Sequence, residues 1–393
     1  MTSKEHKKHS AITRPAYGNF SRNEWAIVGA PCGDIKTLAD RLIKSLSAYH
    51  KCAYVDAQHG DARHGDARHV DQEAALPGRL AMGAAAEYTN AIDFHQFNLQ
   101  QDLNQFQFRQ LFSEMDLVLV NGNHQQAKAQ VVMIDSRKKA SLQKRLEQLT
   151  NVELFILAEG EQEVFSFVQE AIPHWQQLPL LHVGETEKIV RFFSERLQQA
   201  KPKLNGMVLA GGRSQRMGHD KGAIGWHGQE QRYYMADLLK GFCSSVYISC
   251  RPEQQQGINN SHNTLPDTFP GLGPYGAILS AFQAQPDSAW LVVACDLPLL
   301  DAPTLQYLTD NRNTAALATT FKSPHDNFPE PLITIWEPKS YPVLLAFMAQ
   351  GYTCPRKVLI NTHIQLLEPP KAEALLNVNT PEEAERVRSI LQK

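Results

Sequence analysis

Short apolar runs alternate with amphipathic stretches through the first half of the chain. Apolar runs bounded by polar residues are typical of buried strands, and apolar residues three and four positions apart are typical of helices. Strands are therefore predicted at 25–28, 52–56, 116–122, 131–135 and 152–158. Helices are predicted near 38–46, 106–114, 138–150, 161–171 and 186–200. This alternation favours a mainly parallel sheet with helices on both faces.

The second half of the chain repeats the alternation. Strands are predicted at 206–209, 246–249, 290–294 and 332–336, and helices at 229–242 and after Gly273, Cys354 and Thr380. Between the halves, the run KPK at 201–203 is a polar break with a helix-stopping proline. The expected fold class is α/β, with two mainly parallel, doubly wound domains at 24–200 and 201–393. The polar, basic residues 1–23 are expected to form a disordered tail.

Composition narrows the class of protein. The chain has 393 residues, of which 42% are hydrophobic and 20% charged, and its formal net charge is −2. These values are typical of an ordinary globular protein, so neither nucleic acid nor a membrane is an expected partner. The six cysteines lie far apart without Cys-x-x-Cys spacing, which favours free thiols and a cytoplasmic location. No apolar run approaches the roughly 18 residues of a membrane span, and the polar start of the chain is unlike a secretory signal.

The stretch LAGGRSQRMGHDK at 209–221 concentrates phosphate-binding chemistry behind a predicted strand. Gly211 and Gly212 let the backbone approach phosphate oxygens closely and turn N–H groups toward them. Arg213, Arg216 and Lys221 supply cations that would neutralise a triphosphate. A surface turn rich in glycine and arginine is the structural alternative. The combination of a strand, two glycines and three cations within this stretch favours a phosphate site.

This stretch resembles the signature of the molybdenum cofactor guanylyltransferases, the MobA family, which reads LAGG-x-S-x-RMG-x-DK. The matching residues are Leu209, Ala210, Gly211, Gly212, Ser214, Arg216, Met217, Gly218, Asp220 and Lys221. The resemblance extends over about 205–390 and implies that the loop wraps a nucleoside triphosphate. It implies nucleotide-binding roles for Leu209, Ala210, Gly211, Gly212 and Lys221, and catalytic roles for Arg216 and Lys221. The related cytidylyltransferases read LAAG, so Gly211 favours GTP.

A carboxylate follows the predicted strand at 290–294. Asp296 lies in the run CDLP, at the end of a strand where ligands bind in open α/β sheets, and a carboxylate there suits magnesium. A helix cap or a turn is the common structural role of such an aspartate. The run resembles the family's Cys-Asp-x-Pro pattern, which implies that Asp296 binds Mg²⁺ and the nucleotide and takes part in catalysis.

Further segments resemble those that border the base and the pterin in the family. Arg251 stands where relatives often place an asparagine that reads the base or the ribose. Asp267 precedes a Gly-Pro turn like the one that borders the guanine site of the family. Glu330 opens a strand that borders the pterin in relatives, which implies substrate binding. Arg356 and Lys357 begin a helix, and these cations either meet the pterin phosphate or form a solvated helix start.

The end of the chain combines a helix start with amide side chains. The run NVNTPEE at 377–383 resembles the family's Asn-x-Asn-Thr-Pro-Glu motif. In that motif the amides corresponding to Asn377 and Asn379 face metal or substrate, which implies substrate binding. Independently of the family, Thr380 and Glu383 are expected to form a capping box at the start of a helix.

The first predicted domain begins with the layout of a P-loop, in which a strand and a loop lead into a helix carrying Lys36. Ile35 and Ala30 occupy positions where that loop requires glycine, and a β-branched side chain blocks close approach of the backbone. The region 24–160 resembles the MobB-type family of small P-loop GTP-binding adaptors, with Asn121 in place of a glutamate near the metal. The resemblance implies a degenerate P-loop domain. Because its loop departs from a working P-loop, docking is its expected role, either onto the second domain or onto a molybdoenzyme or a chaperone.

A tandem repeat of HGDAR brings His59, His64 and His69 into regular spacing. Three histidines five residues apart could bind a metal. A short polar unit in two copies is more simply a duplication within an exposed loop, and that interpretation is favoured here.

The resemblance as a whole implies a nucleotidyltransferase that transfers GMP from GTP to molybdopterin and releases pyrophosphate, with Mg²⁺ as cofactor. One alternative is a cytidylyltransferase or another nucleotidyltransferase of the same fold, which a panel of nucleotides would separate. The other is a non-catalytic protein that binds the pterin cofactor, which would release no pyrophosphate.

Overall fold

A computed structural model describes residues 18–57, 78–211, 221–378 and 380–391. The chain divides into two compact units, Met1–Gln199 and Ala200–Lys393, called unit 1 and unit 2 below. Each unit has its own sheet and its own hydrophobic core.

Unit 1 is built on a six-stranded, wholly parallel sheet in the order β2-β5-β1-β6-β7-β8. The strands of unit 1 are β1 Glu24–Val28, β2 Cys52–Val55, β3 Ala86–Asn90, β4 His95–Leu99, β5 Leu117–Asn121, β6 Ala129–Ile134, β7 Val152–Leu157 and β8 Leu180–His182. Its helices are α1 Cys32–Leu46, α2 Gln105–Leu111, α3 Lys139–Gln143, α4 Ser166–Ala171 and α5 Thr186–Gln199. The antiparallel hairpin β3–β4 and the edge strand β8 were not predicted.

Helices α1 and α5 pack their apolar stripes onto one face of the sheet of unit 1. The buried residues of α1 are Ile35, Leu38, Ala39, Leu42 and Leu46, and those of α5 are Ile189, Phe192, Phe193 and Leu197. Their spacing of three and four positions is what places them on one face of each helix. Trp25 of β1 anchors the contact, with its ring 5.1 Å from that of Phe193 in an edge-to-face arrangement.

The segment 18–23 corrects the predicted tail, because it packs onto unit 1. Phe20 is only 1% exposed, and its ring lies 5.3 Å from that of Phe108. The carboxylate of Glu24 accepts backbone hydrogen bonds from Asn19, Phe20 and Ser21. An apolar anchor and a buried acceptor therefore order this segment, although its sequence is mostly polar. Residues 1–17 lie outside the described part of the chain.

The connection between β1 and α1 is too short to be a phosphate loop. Helix α1 begins at Cys32, and the N–H groups of Asp34 and Ile35 both donate to the carbonyl of Pro31. Ile35, expected beside the phosphates, is fully buried in the core instead. Asn121 is also buried, and its amide donates to Asp56 at 2.8 Å. The backbone groups of a phosphate cradle are thus used within the helix.

The basic helix predicted at 138–150 is wrong in its length. It is divided into α3 and a 3₁₀ turn at Leu146–Gln148. Between them, the guanidinium of Arg145 donates to the backbone carbonyl of Asn123 at 2.7 Å. The regular helix thus ends before this tertiary contact, in keeping with the rule that packing commonly overrides weak helix propensity.

Unit 2 is built on a seven-stranded sheet in the order β11-β10-β9-β12-β14-β13-β15. Its strands are β9 Leu204–Leu209, β10 Ser245–Cys250, β11 Asn263–Pro266, β12 Ala289–Ala294, β13 Ala318–Lys322, β14 Pro329–Trp336 and β15 Gln365–Leu367. Its helices are α6 Gln231–Leu239, α7 Pro274–Ala284, α8 Ala302–Asp310, α9 Ser340–Ala349, α10 Pro355–Ile360 and α11 Pro381–Leu391. Strand β14 pairs antiparallel with both neighbours, and the other pairs are parallel. The predicted α/β class with mainly parallel sheets is confirmed for both units.

The core of unit 2 lies on both faces of this sheet. Helix α7 is buried along most of its length on one face, beside Trp290 and Trp336, which are fully buried. Helix α6 covers the other face with Met235 and Leu239. Because both faces are covered, ligands have access mainly at the edges where the strands end.

Candidate nucleotide site

The site is built from four neighbouring strands of unit 2, whose carboxyl ends line up. The strands β11, β10, β9 and β12 are parallel and adjacent, and their registers pair Pro266 with Cys250, Ser249 with Leu209, and Leu209 with Ala294. The residues that follow these positions therefore stand side by side along one edge. In strand order, this edge presents Asp267, Arg251, Gly211 and Asp296.

A cavity of about 260 Å³ opens on this edge. It is lined by six predicted site residues, namely Leu209, Ala210, Gly211, Arg251, Asp267 and Asp296. The start of α7, Leu332 of β14 and the last residues of β10 and β12 also line it. The structure thus brings together residues that are as far apart as 209 and 296 in the sequence.

Gly211 leaves open room at the edge of the sheet. A Cβ at this position would approach the backbone nitrogen of Arg251 to 3.5 Å, which is ordinary van der Waals contact. Packing among the described residues therefore does not require a glycine at this position. A glycine here would instead let a ligand approach the backbone closely.

Asp267 is held in one orientation by the backbone of Phe269 and by Ser280 in the middle of α7. Its Oδ1 accepts hydrogen bonds from the N–H of Phe269 at 2.8 Å and from the hydroxyl of Ser280 at 2.9 Å. Gly276 allows this proximity, because a Cβ there would lie 2.3 Å from the carbonyl oxygen of Phe269. Ser280 and Gly276 were missed by sequence reasoning, since nothing in the sequence shows that their helix turn faces Asp267.

Arg251 is oriented by the short 3₁₀ helix that follows it. Its Nη1 lies 2.7 Å from a carboxylate oxygen of Glu253, and its backbone N–H donates to Gln254 at 3.0 Å. Its Nε is buried and has no hydrogen-bond partner among the described residues. A buried N–H donor without an acceptor is unfavourable, and in native proteins it calls for an explanation.

Asp296 contacts the motif at 377–383, which carries the amide side chains of Asn377 and Asn379. The backbone carbonyl of Asp296 accepts a hydrogen bond of 2.9 Å from the N–H of Val378. This contact places Asn377, which is exposed, next to the end of β12. The capping box is confirmed, because Thr380 and Glu383 exchange side chain to backbone hydrogen bonds of 3.1 and 3.3 Å.

The predicted pterin-side residues are not part of the cavity wall. Glu330 lies on β14 and pairs with Arg356 at 3.2 Å, and Arg356 also pairs with Asp326 at 2.7 Å. Two carboxylates thus hold the half-buried guanidinium of Arg356, whereas Lys357 is exposed. Lys357 lies 5.9 Å from the centre of the Tyr352 ring.

Several predicted residues lie outside the described parts of the chain. They are Gly212, Arg213, Arg216, the side chain of Lys221, Asn379 and the three histidines His59, His64 and His69. Within the described ranges, no group of three or more His, Cys, Asp or Glu residues is suited to a metal ion. In the same ranges, no helix combines the length and the apolar character that a membrane crossing requires.

Comparison with known proteins agrees with this geometry. Residues 206–366 match the family model described as the MobA-like NTP transferase domain. The chain is 33% identical over 187 residues to a probable molybdenum cofactor guanylyltransferase of Trichormus variabilis, covering 46% of this chain and 88% of that protein. It is 32% identical over 197 residues to a molybdenum cofactor biosynthesis bifunctional protein of Synechocystis, but covers only 57% of that protein and 50% of itself.

A solved structure is also similar to part of this chain. It is molybdopterin-guanine dinucleotide biosynthesis protein A from Archaeoglobus fulgidus, with 22% identity, a TM-score of 0.42, and coverage of 48% of this chain and 98% of that one. The assignment rests on the sequence matches. The fold of unit 2 and its sequence matches define an α/β NTP transferase domain. The chain belongs to the MobA-like NTP transferase family, and its activity is that of a nucleotidyltransferase.

Proposed function

We propose that unit 2 transfers GMP from GTP to the terminal phosphate of molybdopterin and releases pyrophosphate. The observation that carries this proposal is the row of Asp267, Arg251, Gly211 and Asp296 on one cavity at the carboxyl edge of the sheet. The names of the relatives add the identity of the nucleotide and of the acceptor. A cytoplasmic location and docking of unit 1 onto a molybdoenzyme or a chaperone remain proposals.

The strand order suggests how a nucleotide would lie. Asp267 follows β11 and Asp296 follows β12, at opposite ends of the row. A nucleotide along this row would have its base near Asp267 and Arg251, and its phosphates near Gly211 and Asp296. The phosphates would then also be within reach of the loop that contains Arg216 and Lys221, which we propose as the cations that hold the triphosphate.

Magnesium is the cofactor that fits the donor set. Mg²⁺ usually binds proteins through one or two carboxylates and completes its coordination with substrate phosphates and water. Asp296 supplies one carboxylate at the cavity, and the backbone contact with Val378 brings the amide of Asn377 to the same strand end. We propose Asp296 as the protein ligand, with Asn377 and Asn379 facing the metal or the acceptor. When bound, the ion would supply positive charge to the phosphates.

The reaction needs no covalent intermediate between the protein and a substrate. An oxygen of the acceptor phosphate attacks the α-phosphorus of GTP, a new P–O bond forms, and the bond to the bridging oxygen of the β-phosphate breaks. Pyrophosphate carries away the electron pair. Catalysis of such a step is mainly positioning and electrostatic stabilisation. The roles left to this chain are to fix the base, to hold the phosphates with cations and backbone N–H groups, and to exclude water.

The test is turnover by the full chain. Purified protein is incubated with Mg²⁺, molybdopterin, and GTP, ATP or CTP in separate reactions, and pyrophosphate and the dinucleotide product are measured. Pyrophosphate and product are expected with GTP only. Turnover with CTP instead would identify a cytidylyltransferase, and molybdopterin binding without pyrophosphate release would indicate a non-catalytic binding protein.

A further inference from the structure

We propose that Cys32 and His124 form a thiol–imidazole pair in unit 1, in which His124 takes the proton of Cys32 and makes its sulfur a nucleophile toward small disulfides. The product is a mixed disulfide between Cys32 and one half of that molecule. This inference concerns unit 1 and does not depend on the transferase activity proposed for unit 2. It gives a chemical role to the connection between β1 and α1, which does not have the form of a phosphate loop.

The two side chains meet beyond the carboxyl ends of β1 and β5, which are adjacent parallel strands. The Sγ of Cys32 lies 3.2 Å from the Nε2 of His124. Both residues are half-buried, so neither is sealed in the core. A nucleophile and a base within hydrogen-bond reach are the arrangement that marks an activated side-chain nucleophile.

A tight turn after β5 brings His124 to this position. The N–H of His124 donates to the carbonyl of Asn121 at 3.1 Å, and the N–H of Gly122 donates to the carbonyl of Ile27 at 2.8 Å. A Cβ at Gly122 would lie 2.9 Å from that carbonyl oxygen of Ile27, so a larger residue would push the turn away. The turn is therefore held against β1, the strand that leads to Cys32.

Asn123 fixes the sulfur relative to this turn. Its Nδ2 donates to the carbonyl of Ala30 at 2.9 Å and lies 3.6 Å from the Sγ of Cys32. The carbonyl of Asn123 in turn accepts from the guanidinium of Arg145 at 2.7 Å. A hydrogen bond to a charged acceptor is stronger than one to a neutral acceptor. This donor therefore favours transfer of the thiol proton to His124.

The helix adds positive charge at the sulfur. Cys32 is the first residue of α1, which has 15 residues, and the N-terminus of a helix carries a partial positive charge that favours a thiolate nearby. Lys36 follows four positions later and is therefore on the same face of the helix. Asp40, an acid on the same helix, is about 12 Å further along it. The charges nearest to the sulfur on α1 are thus favourable.

The other acidic side chains around the pair are engaged by other groups. Asp34 pairs with Arg137 at 2.5 Å. The carboxylate of Asp56 accepts from the hydroxyl of Tyr54 at 2.8 Å and from the amide of Asn121 at 2.8 Å. Burial, and secondly the hydrogen bond to Asp56, raises the pKa of Tyr54. Tyr54 therefore adds no negative charge at neutral pH.

The other cysteines are less suited to react. Burial raises the pKa of Cys52 to about 11 and that of Cys243 to about 12, so both thiols stay protonated at neutral pH. Cys250 and Cys295 are buried. Cys354 is exposed, but no hydrogen bond to its thiol is found within the described residues. It is therefore an internal reference for an accessible thiol without a neighbouring base.

The reaction is a thiol–disulfide exchange. Nε2 of His124 accepts the proton of Cys32, and the sulfur attacks one sulfur of a small disulfide. A new S–S bond forms as the old one breaks, and the other half leaves as a thiolate that takes the proton from His124. One disulfide replaces another, so there is no net gain or loss of electrons. The small disulfide is the one co-reactant, and the exchange is reversible.

The test compares two thiols in the same protein. The reduced full chain is treated with oxidised glutathione at about pH 7 and quenched in acid, and peptide mass spectrometry measures the mixed disulfide at Cys32 and at Cys354. An ordinary thiol is only a few per cent thiolate at this pH, so Cys32 is expected to react at least about tenfold faster than Cys354. Iodoacetamide, which is uncharged, should give the same order of rates.

Variants assign the effect to the base. His124→Gln keeps a polar side chain that cannot take up the proton, and Cys32 in this variant should react about tenfold more slowly, as Cys354 does. His174→Gln changes an exposed histidine elsewhere in unit 1 and is the matched control, which should react as wild type. Cys52 should stay unmodified in both variants, which shows that unit 1 remains folded.

A pH series separates proton transfer from access to the sulfur. The rate of a thiol that is mostly protonated rises about tenfold with each pH unit, and Cys354 is expected to show this rise. Cys32 of the wild type should vary less than about threefold between about pH 6 and about pH 8, because its proton is already on His124. In His124→Gln the steep rise should return at Cys32. The wild-type series tests the pair even where the glutamine variant does not fold.

Two results would overturn the inference. One is a wild-type protein in which Cys32 and Cys354 react at equal rates and rise equally with pH. The other is a folded His124→Gln protein in which Cys32 reacts as fast as in wild type. Neither result bears on GTP turnover, which is measured separately.

Discussion

The backbone carbonyl of Asp296 accepts a hydrogen bond of 2.9 Å from the N–H of Val378. This bond ties the end of the central strand β12 to a motif more than eighty positions later in the sequence. The helix α11 that follows is anchored through Val378, Ala384 and Val387, which pack against Trp226 and Leu299. The carboxylate proposed to bind magnesium and the amide of Asn377 are therefore positioned by one piece of backbone.

Substitution of Asp296 tests the proposed metal site. Asp296→Asn keeps the volume and the backbone contact with Val378 but loses the charge that attracts Mg²⁺. Metal-dependent pyrophosphate release should fall by at least about a hundredfold, as in other cases where a stabilising electrostatic group is lost. The free energy of unfolding should change little. Wild-type turnover by this variant would show that Asp296 is a structural residue.

The site residues at the carboxyl ends of the strands of unit 2 could be predicted because two independent sequence signals coincide at them. Asp296 and Gly211 each follow an apolar run, and each belongs to a chemically distinctive motif. The side chains that hold the site residues in place could not be predicted. Ser280 holds Asp267 and Glu253 holds Arg251, and such contacts depend on how a helix turn faces a strand end. Sequence spacing alone does not specify that orientation.

The hairpin β3–β4 escaped prediction for a different reason. Most of its residues are exposed on both faces, so the alternation that identifies a half-buried strand is absent. Its turn includes Ile92 at φ 69°, a conformation that branched side chains rarely adopt. No Asn-Gly or Asp-Gly pair marks the turn. Local signals were therefore missing at every position where a hairpin is usually recognised.

A buried ion pair is expected to stabilise unit 2. Arg312 contacts both carboxylate oxygens of Glu337 at 2.6 and 2.9 Å, and it also donates to the carbonyl of Pro202 at 3.0 Å. Glu337 is only 1% exposed. Glu337→Gln leaves the guanidinium of Arg312, whose side chain is 14% exposed, without its counter-charge, and loss of a largely buried partner typically costs about 3 kcal/mol. Urea denaturation should show this loss in the free energy of unfolding.

An exposed pair provides the control for that measurement. Lys322 and Glu368 lie 2.9 Å apart, with the side chain of Glu368 75% exposed. Glu368→Gln should change the free energy of unfolding by less than about 1 kcal/mol, because water screens surface pairs. Equal effects of the two glutamine substitutions would mean that burial of Glu337 does not matter.

Stability at low pH should depend on Asp301. Burial alone would raise the pKa of this carboxyl, but hydrogen bonds from Lys371 and Thr304 outweigh burial and hold its pKa below the usual 3.8. A carboxyl with a lowered pKa in the folded state stabilises the fold above its unfolded pKa, and this contribution is lost as the pH falls through the folded value. The free energy of unfolding, measured between about pH 6 and about pH 2, should therefore fall more steeply with decreasing pH for wild type than for Asp301→Asn. Lys371→Met should have an intermediate slope, and identical slopes for all three proteins would contradict the assignment.

Unit 1 is expected to contribute no nucleotide site of the P-loop type. A phosphate cradle needs several backbone N–H groups that converge on the ligand. Here the N–H groups of Asp34 and Ile35 are used inside α1, and Ile35 fills the core. Lys36 lies exposed on the first turns of the helix, where a lysine without its loop is only a flexible point charge. Titration of the full chain with GTP and Mg²⁺ should give one site per chain, located in unit 2. Lys36→Ala should leave both the stoichiometry and the affinity unchanged, whereas Asp267→Asn should weaken that single site. A second site that disappears in Lys36→Ala would show that the connection between β1 and α1 rearranges to bind phosphate.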